Sequence, residues 1–438
     1  MDELLRLLTL QDSNTRVVLL GTSVLGVASA VIGTFAVLRR RSLVGDAVAH
    51  AALPGVCAAY FAVGDRNFAA FMLGALVFGV AAAAFVSFVR SATRIKEDAA
   101  IALAIGGFFG VGIVLSRMIQ NQPGGNRAGI DSFIYGKAAS MVGDDARLIL
   151  VVAAAVLGTA ALFYKEFKAL CFDRDFAASQ GWPTLTLDLL LMGLICTCTV
   201  VGLPAVGVVL MVSLLVIPPV AARFWTNRLS TMLLIAAVLG GVSGVLGTAL
   251  SATLPVPEDV PSRGWPTGPL ITLVATAIFV VSLLLAPRRG LVGDLVRRVS
   301  LRRRVAEQNL LRAVYEHLED LGELGTEWSA SQLDVSAEAL PRMVRRGLVA
   351  RAGAGAFRLT DGGQAEAAKV VRAHRLWELF LIQQADIAPD HVDRDADQIE
   401  HVLSPEVLAH LEERLHAMGR LPGGVPRSPH PIHAGGTA

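Results

Sequence analysis

The chain has 438 residues, of which 53% are apolar and only 17% charged, and its mean hydropathy of +0.56 excludes an ordinary soluble globular protein. Its 39 Lys+Arg nearly cancel 37 Asp+Glu, so net charge gives no ground for a nucleic-acid binder and only the distribution of charge informs. The four cysteines, Cys57, Cys171, Cys196 and Cys198, form no CxxC pair, which speaks against a disulfide framework or a zinc ribbon.

The N-terminal MDELLRLLTLQDSN is acidic and amphipathic. It lacks the basic stretch of a cleavable signal peptide, so the first apolar run is expected to stay as a membrane span. Runs long enough for a hydrocarbon core of about 30 Å start near Val17, Leu43, Phe68, Ala99, Leu148, Leu187, Ala205, Met232 and Ile271. These give about nine spans, with eight to ten as the working range. Only Gly202, Leu203 and Pro204 separate the sixth run from the seventh, and Gly129 to Val142 reads as a further re-entrant or interfacial piece. Basic residues gather at Arg39–Arg41, at Arg90, Arg94 and Lys96, at Lys165, Lys168 and Arg174, at Arg223 and Arg228, and over Arg288–Arg304. With nine spans they fall on alternate connections, which by the positive-inside rule sets the N-terminus outside and the C-terminal body inside.

Asp46 and His50 lie four residues apart near the start of the second run. On a helix they share a face and can bind one cation, and an ionisable pair inside a membrane run is by default a pathway hypothesis. The same spacing also suits a cap by Asp46 and a structural bond from His50, and spacing alone does not choose. Later, Tyr164–Gly181 mixes aromatic and charged residues, as a short amphipathic helix with Phe172 and Phe176 on one face would. Glycine-rich stretches such as Gly240-Gly241-Val242-Ser243-Gly244 read as close helix packing. Pro218 and Pro219 fit either an opened backbone or a helix end before Ala221. Beyond the spans, Arg288–Arg304 carries seven arginines against one acid, Asp294, as a segment held by anionic lipid would.

From Asn309 the period is helical, with Leu310, Val314, Leu318 and Leu321 on one face. Short segments then lead to Gly347–Arg351 and Phe357–Thr360, paired strands around Gly353–Gly355, and to a long helix opened by Asp361. That order describes a winged helix. His374 and Glu378 are spaced i, i+4, and Asp397, Glu400 and His401 are spaced i, i+3, i+4. Each set occupies one helix face and offers imidazole and carboxylate without thiolate, which suits Mn2+ or Fe2+; salt-bridged dimer helices use the same spacings.

The segments LRRRSLVGDAVAHAALPGV, TRIKEDAAIALAIGGFFGVGIVLSR, VVGLPAVGVVLMVSLLVIPPVAARFW and PTGPLITLVAT resemble, in order and spacing over about residues 15–287, the permease subunit of metal-type ABC importers. The resemblance implies import of Mn2+ foremost, or of Fe2+ or Zn2+, through a second permease copy, a separate ATP-hydrolysing subunit and an extracytoplasmic metal-binding protein, in a bacterial plasma membrane. It makes Asp46 and His50 the translocation-path residues and makes Glu166, Phe172, Asp173, Phe176 and Gly181 the coupling loop to the ATPase. The chain itself has no GxxxxGK[ST] phosphate loop, so no nucleotide site and no enzymatic activity are expected of it.

Residues 309–433, through LLRAVYEHL, HRLWELFL and Glu-His-Val-Leu-Ser, resemble the diphtheria toxin repressor family of metal-dependent regulators. By that resemblance His374, Glu378, Asp397, Glu400 and His401 are metal ligands. Asn309 and Asp393 depart from the family's ligand pattern. The segment Ser336–Arg346 is about a turn short for a recognition helix and carries Pro341 in its middle, where a helix interior loses about 3 kcal/mol, which argues against DNA reading.

The expected fold is thus an all-α polytopic membrane protein followed by a mainly α cytoplasmic winged-helix and helical metal-binding or dimerisation domain. The expected division is 1–287 permease, 288–308 basic linker, 309–370 winged helix, 371–421 metal-binding helices and 422–438 disordered tail. The expected function is a metal-import permease with a fused metal sensor; the alternative is a membrane-tethered metal-dependent transcriptional regulator.

Overall fold

The computed structural model describes residues 13–64, 67–122, 136, 141–254, 265–287, 289–323, 325–333, 337–353, 355–384, 406, 409–411 and 413. The chain divides into two units, Met1–Gly293 and Asp294–Ala438.

The first unit is helical: α1 (Ser13–Leu38), α2 (Val44–Val63), α3 (Phe68–Ala92), α4 (Glu97–Gln120), α5 (Gly143–Leu162), α6 (Tyr164–Phe172), α7 (Arg174–Ser179), α8 (Thr184–Trp225), α9 (Leu229–Thr253) and α10 (Thr267–Leu285). Among the described residues, eight of these, all but α6 and α7, are long and apolar enough to cross a membrane. In lipid every backbone group must be paired within its segment, which is why such runs form helices.

The two runs expected near Leu187 and Ala205 are a single element, α8, broken at Gly207, where φ is 80° and ψ 168°. The break therefore lies past Gly202–Pro204. Pro204 stays inside the helix, as do Pro218 and Pro219, so no helix ends before Ala221. Only glycine adopts the Gly207 conformation without strain. The chain turns back there: a Cβ on Gly202 would collide with Met211 Sδ, although the two residues are nine apart.

The first arm of α8 runs antiparallel to α1, one residue for one. Arg39 bonds Asp188, Ser29 Oγ lies 3.5 Å from Cys198 Sγ, and Leu25 packs at Gly202. The second arm returns past Gly33 and Gly45, both closed against Leu215. On the other side α1 crosses α9 through Gly26 and Gly240, each facing the other's backbone, with Thr22 and Thr248 hydroxyls 3.0 Å apart. Apolar burial drives little in lipid, so such close backbone approach and interhelical bonds hold helices together.

The helix α11 (Leu291–Asp320) begins at the end of the first unit and, within the second, buries Leu310, Leu311, Val314 and Leu318, whereas Leu321 is exposed. The basic segment 291–304 is thus part of this helix. A three-stranded sheet of β1 (Trp328–Ser329), β2 (Val349–Arg351) and β3 (Ala356–Leu359), in the order β1-β3-β2, pairs Val349 with Leu359 and Trp328 with Phe357. The helix α12 (Leu340–Arg345) has Pro341 in its first turn. There its missing N–H is unpaired in any helix, so the interior cost expected from sequence is not incurred. The long helix α13 (Asp361–Gln384) follows. Trp328, Met343, Val349 and Val371 close the core of this unit.

Candidate functional site

In the membrane unit, Asp46 and His50 fall in the first two turns of α2 and face a cavity of about 410 Å³. Its walls are otherwise nearly all apolar: Leu53 on α2, Phe109 on α4, and Leu203, Val208 and Val212 on both arms of α8. His50 Nε2 lies 3.4 Å from Asp46 Oδ1. With ligand bonds of about 2.1 Å, donors 3.4 Å apart subtend about 108° at a shared cation, close to a tetrahedral angle. Phe109 meets the imidazole edge-on, with centroids 4.9 Å apart. The other ring nitrogen, Nδ1, is buried and has no hydrogen-bond partner among the described residues. Ser213, at the cavity rim, spends its hydroxyl on Val209 O at 2.7 Å.

Resident metal sites usually have a third ligand and fix each histidine through its second nitrogen. Among the described residues no group of three or more His, Cys, Asp or Glu could hold a metal.

The loop after α5 is two helices where the sequence suggested one. Asp173 is extended, with φ −152° and ψ 105°, and its Oδ1 accepts from Phe176 N at 2.9 Å, so it ends α6 and caps α7. Phe172 and Phe176 are 64% and 56% exposed, on separate helices. Gly181, at φ 81°, turns the chain towards α8. Glu166 Oε2 is buried without a partner among the described residues. The Asp-Arg-Asp run carried the signal for this cap.

In the second unit His374 and Glu378 lie on α13, buried to 2% and 1% exposure, with Nε2 and Oε1 3.1 Å apart. Arg312, from α11, brings Nη1 to 2.9 Å from His374 Nδ1. Arg375 beside them bonds Glu319 Oε2 at 2.5 Å. The imidazole and carboxylate have the chemistry and spacing for a divalent cation. Arg312 holds the position of the positive charge, and a metal reaching this pair must displace it. Asp397, Glu400, His401 and Asp393 lie outside the described residues. Sequence spacing missed Arg312, which is 62 positions from His374.

The ABC 3 transport family matches residues 11–286, and the iron dependent repressor, metal binding and dimerisation domain matches residues 360–428. The chain is 38% identical over 424 residues to the manganese transport system membrane protein MntC of Bacillus subtilis (strain 168), covering 96% of this chain and 94% of that protein. It is 41% identical over 298 residues to the zinc transport system membrane protein TroC of Treponema pallidum (strain Nichols), covering 68% of this chain and 97% of that protein. Among solved structures, PsaBC from Streptococcus pneumoniae in complex with Fab matches with a TM-score of 0.56 and 28% identity, covering 66% of this chain and 96% of that one.

Proposed function

Because the chain belongs to the ABC 3 transport family, we propose that it is the membrane permease of an ATP-driven divalent metal importer, with manganese as the favoured ion and a fused metal-sensing domain. Its multi-pass membrane half and repressor-type C-terminal domain set the frame. The observation that carries the reading is the apolar cavity whose two cation ligands, Asp46 and His50, lie 3.4 Å apart on one helix face.

An ion in transit must bind well enough to enter and weakly enough to leave. Two ligands in each chain meet that requirement, and a second permease copy would bring another such pair to the same axis. Preference for manganese rests on a relative named for manganese transport that spans both halves of the chain and on a donor set without thiolate. Zinc and iron(II) bind the same atoms, and supply as well as geometry decides among them.

Energy comes from a separate ATPase, docked on α6 and α7 through exposed Phe172 and Phe176. Delivery is by an extracytoplasmic metal-binding protein. The arginine-bearing ends of the helices face the cytoplasm, and the fold-back at Gly207 provides the additional crossing that puts α9's arginine-flanked start there. The second unit then lies in the cytoplasm. His374 and Glu378, joined by Asp397, Glu400 and His401, would hold an incoming ion there in place of the Arg312 guanidinium that now meets His374, and occupancy slows import. Such feedback requires different metal affinities in two arrangements of the domain.

The test is uptake of Mn2+, Zn2+ and Fe2+ by proteoliposomes that hold the assembled transporter and its binding protein. Asp46→Asn and His50→Ala each lower uptake at least about tenfold with assembly intact. Unchanged uptake with either variant refutes the path. A His401→Ala protein that keeps its inhibition by internal metal refutes the sensor while leaving the permease standing.

A further inference from the structure

The arginines at the end of α1 do more than mark an orientation. Arg39, Arg40 and Arg41, Arg90 at the end of α3 and Arg174 at the start of α7 line a cavity of about 260 Å³, together with Leu38, Leu170, Cys171 and Phe172. Among the described residues no carboxylate lines it. Two acids brace the guanidiniums from behind. Asp188 accepts from Arg39 and Arg41, both at 2.8 Å, and Glu97 holds Arg41 at 3.4 Å and Arg90 at 2.9 Å. Arg39 also donates to Leu170 O at 2.8 Å.

Five cations against two carboxylates leave an excess of positive charge at this mouth. Arg40 and Arg174 have no ion-pair partner among the described residues. Burial pushes the Arg39 guanidinium below its ordinary value, and the neighbouring Arg41 and Arg174 add to that push against the opposing pull of Asp188. The backbone is committed as well. Arg40 is the one non-glycine among the described residues with positive φ, at 59°, a conformation that costs a non-glycine residue about 1–2 kcal/mol. Backbone strain of this kind concentrates at ligand sites.

We infer that this arginine-lined cavity is a binding site for a phosphate group, which a phospholipid headgroup and a free phosphate ion both carry. Planar guanidinium forks match phosphate oxygens in pairs. The cavity lies where α1 and α3 end, at the depth of headgroups for helices of this length. Leu38 and the exposed Phe172 give it an apolar edge, as the glycerol end of a lipid requires. Arg174 and Phe172 also belong to the loop proposed to meet the ATPase, so an occupied cavity would tie that loop to the ends of α1 and α3. The inference does not depend on which metal is carried.

The test uses the permease co-purified with its ATPase in phosphatidylcholine nanodiscs. One arm adds phosphatidylglycerol and counts retained lipid by native mass spectrometry; the other titrates inorganic phosphate by calorimetry. Arg40→Gln and Arg174→Gln are compared with Arg94→Gln, which removes one exposed charge outside the cavity, and their combination with the single variants. All are checked for assembly by size exclusion, and Arg174→Gln changes only an exposed side chain. At least tenfold loss of lipid retention in the cavity variants, with Arg94→Gln near wild type, supports the site with lipid as source. The same loss in the phosphate arm alone supports it with a soluble source. Equal retention in all proteins overturns it, as does release of the ATPase from the cavity variants with both anions still bound, which would make the occupant an acidic side chain of the partner subunit.

Discussion

Replacing Gly26 by alanine tests whether the crossing of α1 and α9 rests on close backbone approach. A Cβ there would lie 2.9 Å from the Gly240 carbonyl carbon and nearer still to its oxygen, where ordinary contact begins at 3.4 Å. The helices must part by at least about half an ångström, and such overpacking costs about 1–3 kcal/mol. Parting also stretches the Thr22–Thr248 bond of 3.0 Å, worth about 0.6 kcal/mol between helices in lipid. Against this, alanine favours a helix by about 0.8–1.0 kcal/mol over glycine. The net loss is then about 0.6–2.8 kcal/mol, or a fall in melting temperature of about 1–11 °C at about 2–4 °C per kcal/mol. Gly158→Ala is the internal comparison, because nothing lies within 4 Å of the Cβ it would add; it keeps the propensity gain alone and melts no lower than wild type. Thermal unfolding of the purified proteins in one detergent reads both. If Gly158→Ala falls as far as Gly26→Ala, close approach is not what holds this crossing.

Two further outcomes follow from the membrane unit. Asp188→Asn strips the shared carboxylate from Arg39 and Arg41, whose side chains are only 8% exposed; breaking a buried pair of this kind costs about 3–5 kcal/mol, so the variant should fail to accumulate or should melt well below wild type, and normal melting refutes the shared-carboxylate reading. Burial raises the Cys171 thiol from near 9 to about 12, so at pH 8 about one thiol in ten thousand is thiolate against about one in ten for an unfolded chain. Alkylation of Cys171 by iodoacetamide, followed by mass spectrometry, should therefore be about a thousandfold slower in the folded protein at pH 8. Since the folded value is the raised one, its stabilising share is complete below pH 9 and is lost as pH climbs towards 12; equal alkylation of folded and unfolded protein contradicts the burial.

Hydropathy made the membrane half legible because lipid leaves the backbone one solution, the helix, and leaves polar residues few places. The boundaries of α2, α3 and α4 fall within a few residues of the runs that start near Leu43, Phe68 and Ala99. Asp46 and His50 were legible for the same reason, since charge inside such a run is conspicuous. The position of the fold-back was not. Pro204 is the louder breaker by composition, yet the helix runs on through it and reverses at Gly207, where φ is 80°. Asp173 was read as one charge in an amphipathic helix, whereas its carboxylate ends that helix and starts another. Arg312 against His374 and Arg40 in its left-handed turn were invisible, the first because it joins residues far apart in sequence and the second because arginine has no preference for that conformation.

The one-for-one register between α1 and the first arm of α8 has a mechanical consequence. Sliding either helix along the other by one turn, about 5.4 Å, would pull Arg39 from Asp188, separate Ser29 from Cys198 and drive Leu25 out of the notch at Gly202 in a single movement. No intermediate offset restores any of them, because each contact needs its own partner at its own level. The pair is therefore locked in one register. The second arm of α8 follows that pair through Gly207, packs back on α1 and α2 at Gly33 and Gly45, and brings Val208, Val212 and Ser213 to the cavity that Asp46 and His50 also line. The fold-back at Gly207 thus joins the fixed arm and one wall of the cavity in a single helical hairpin.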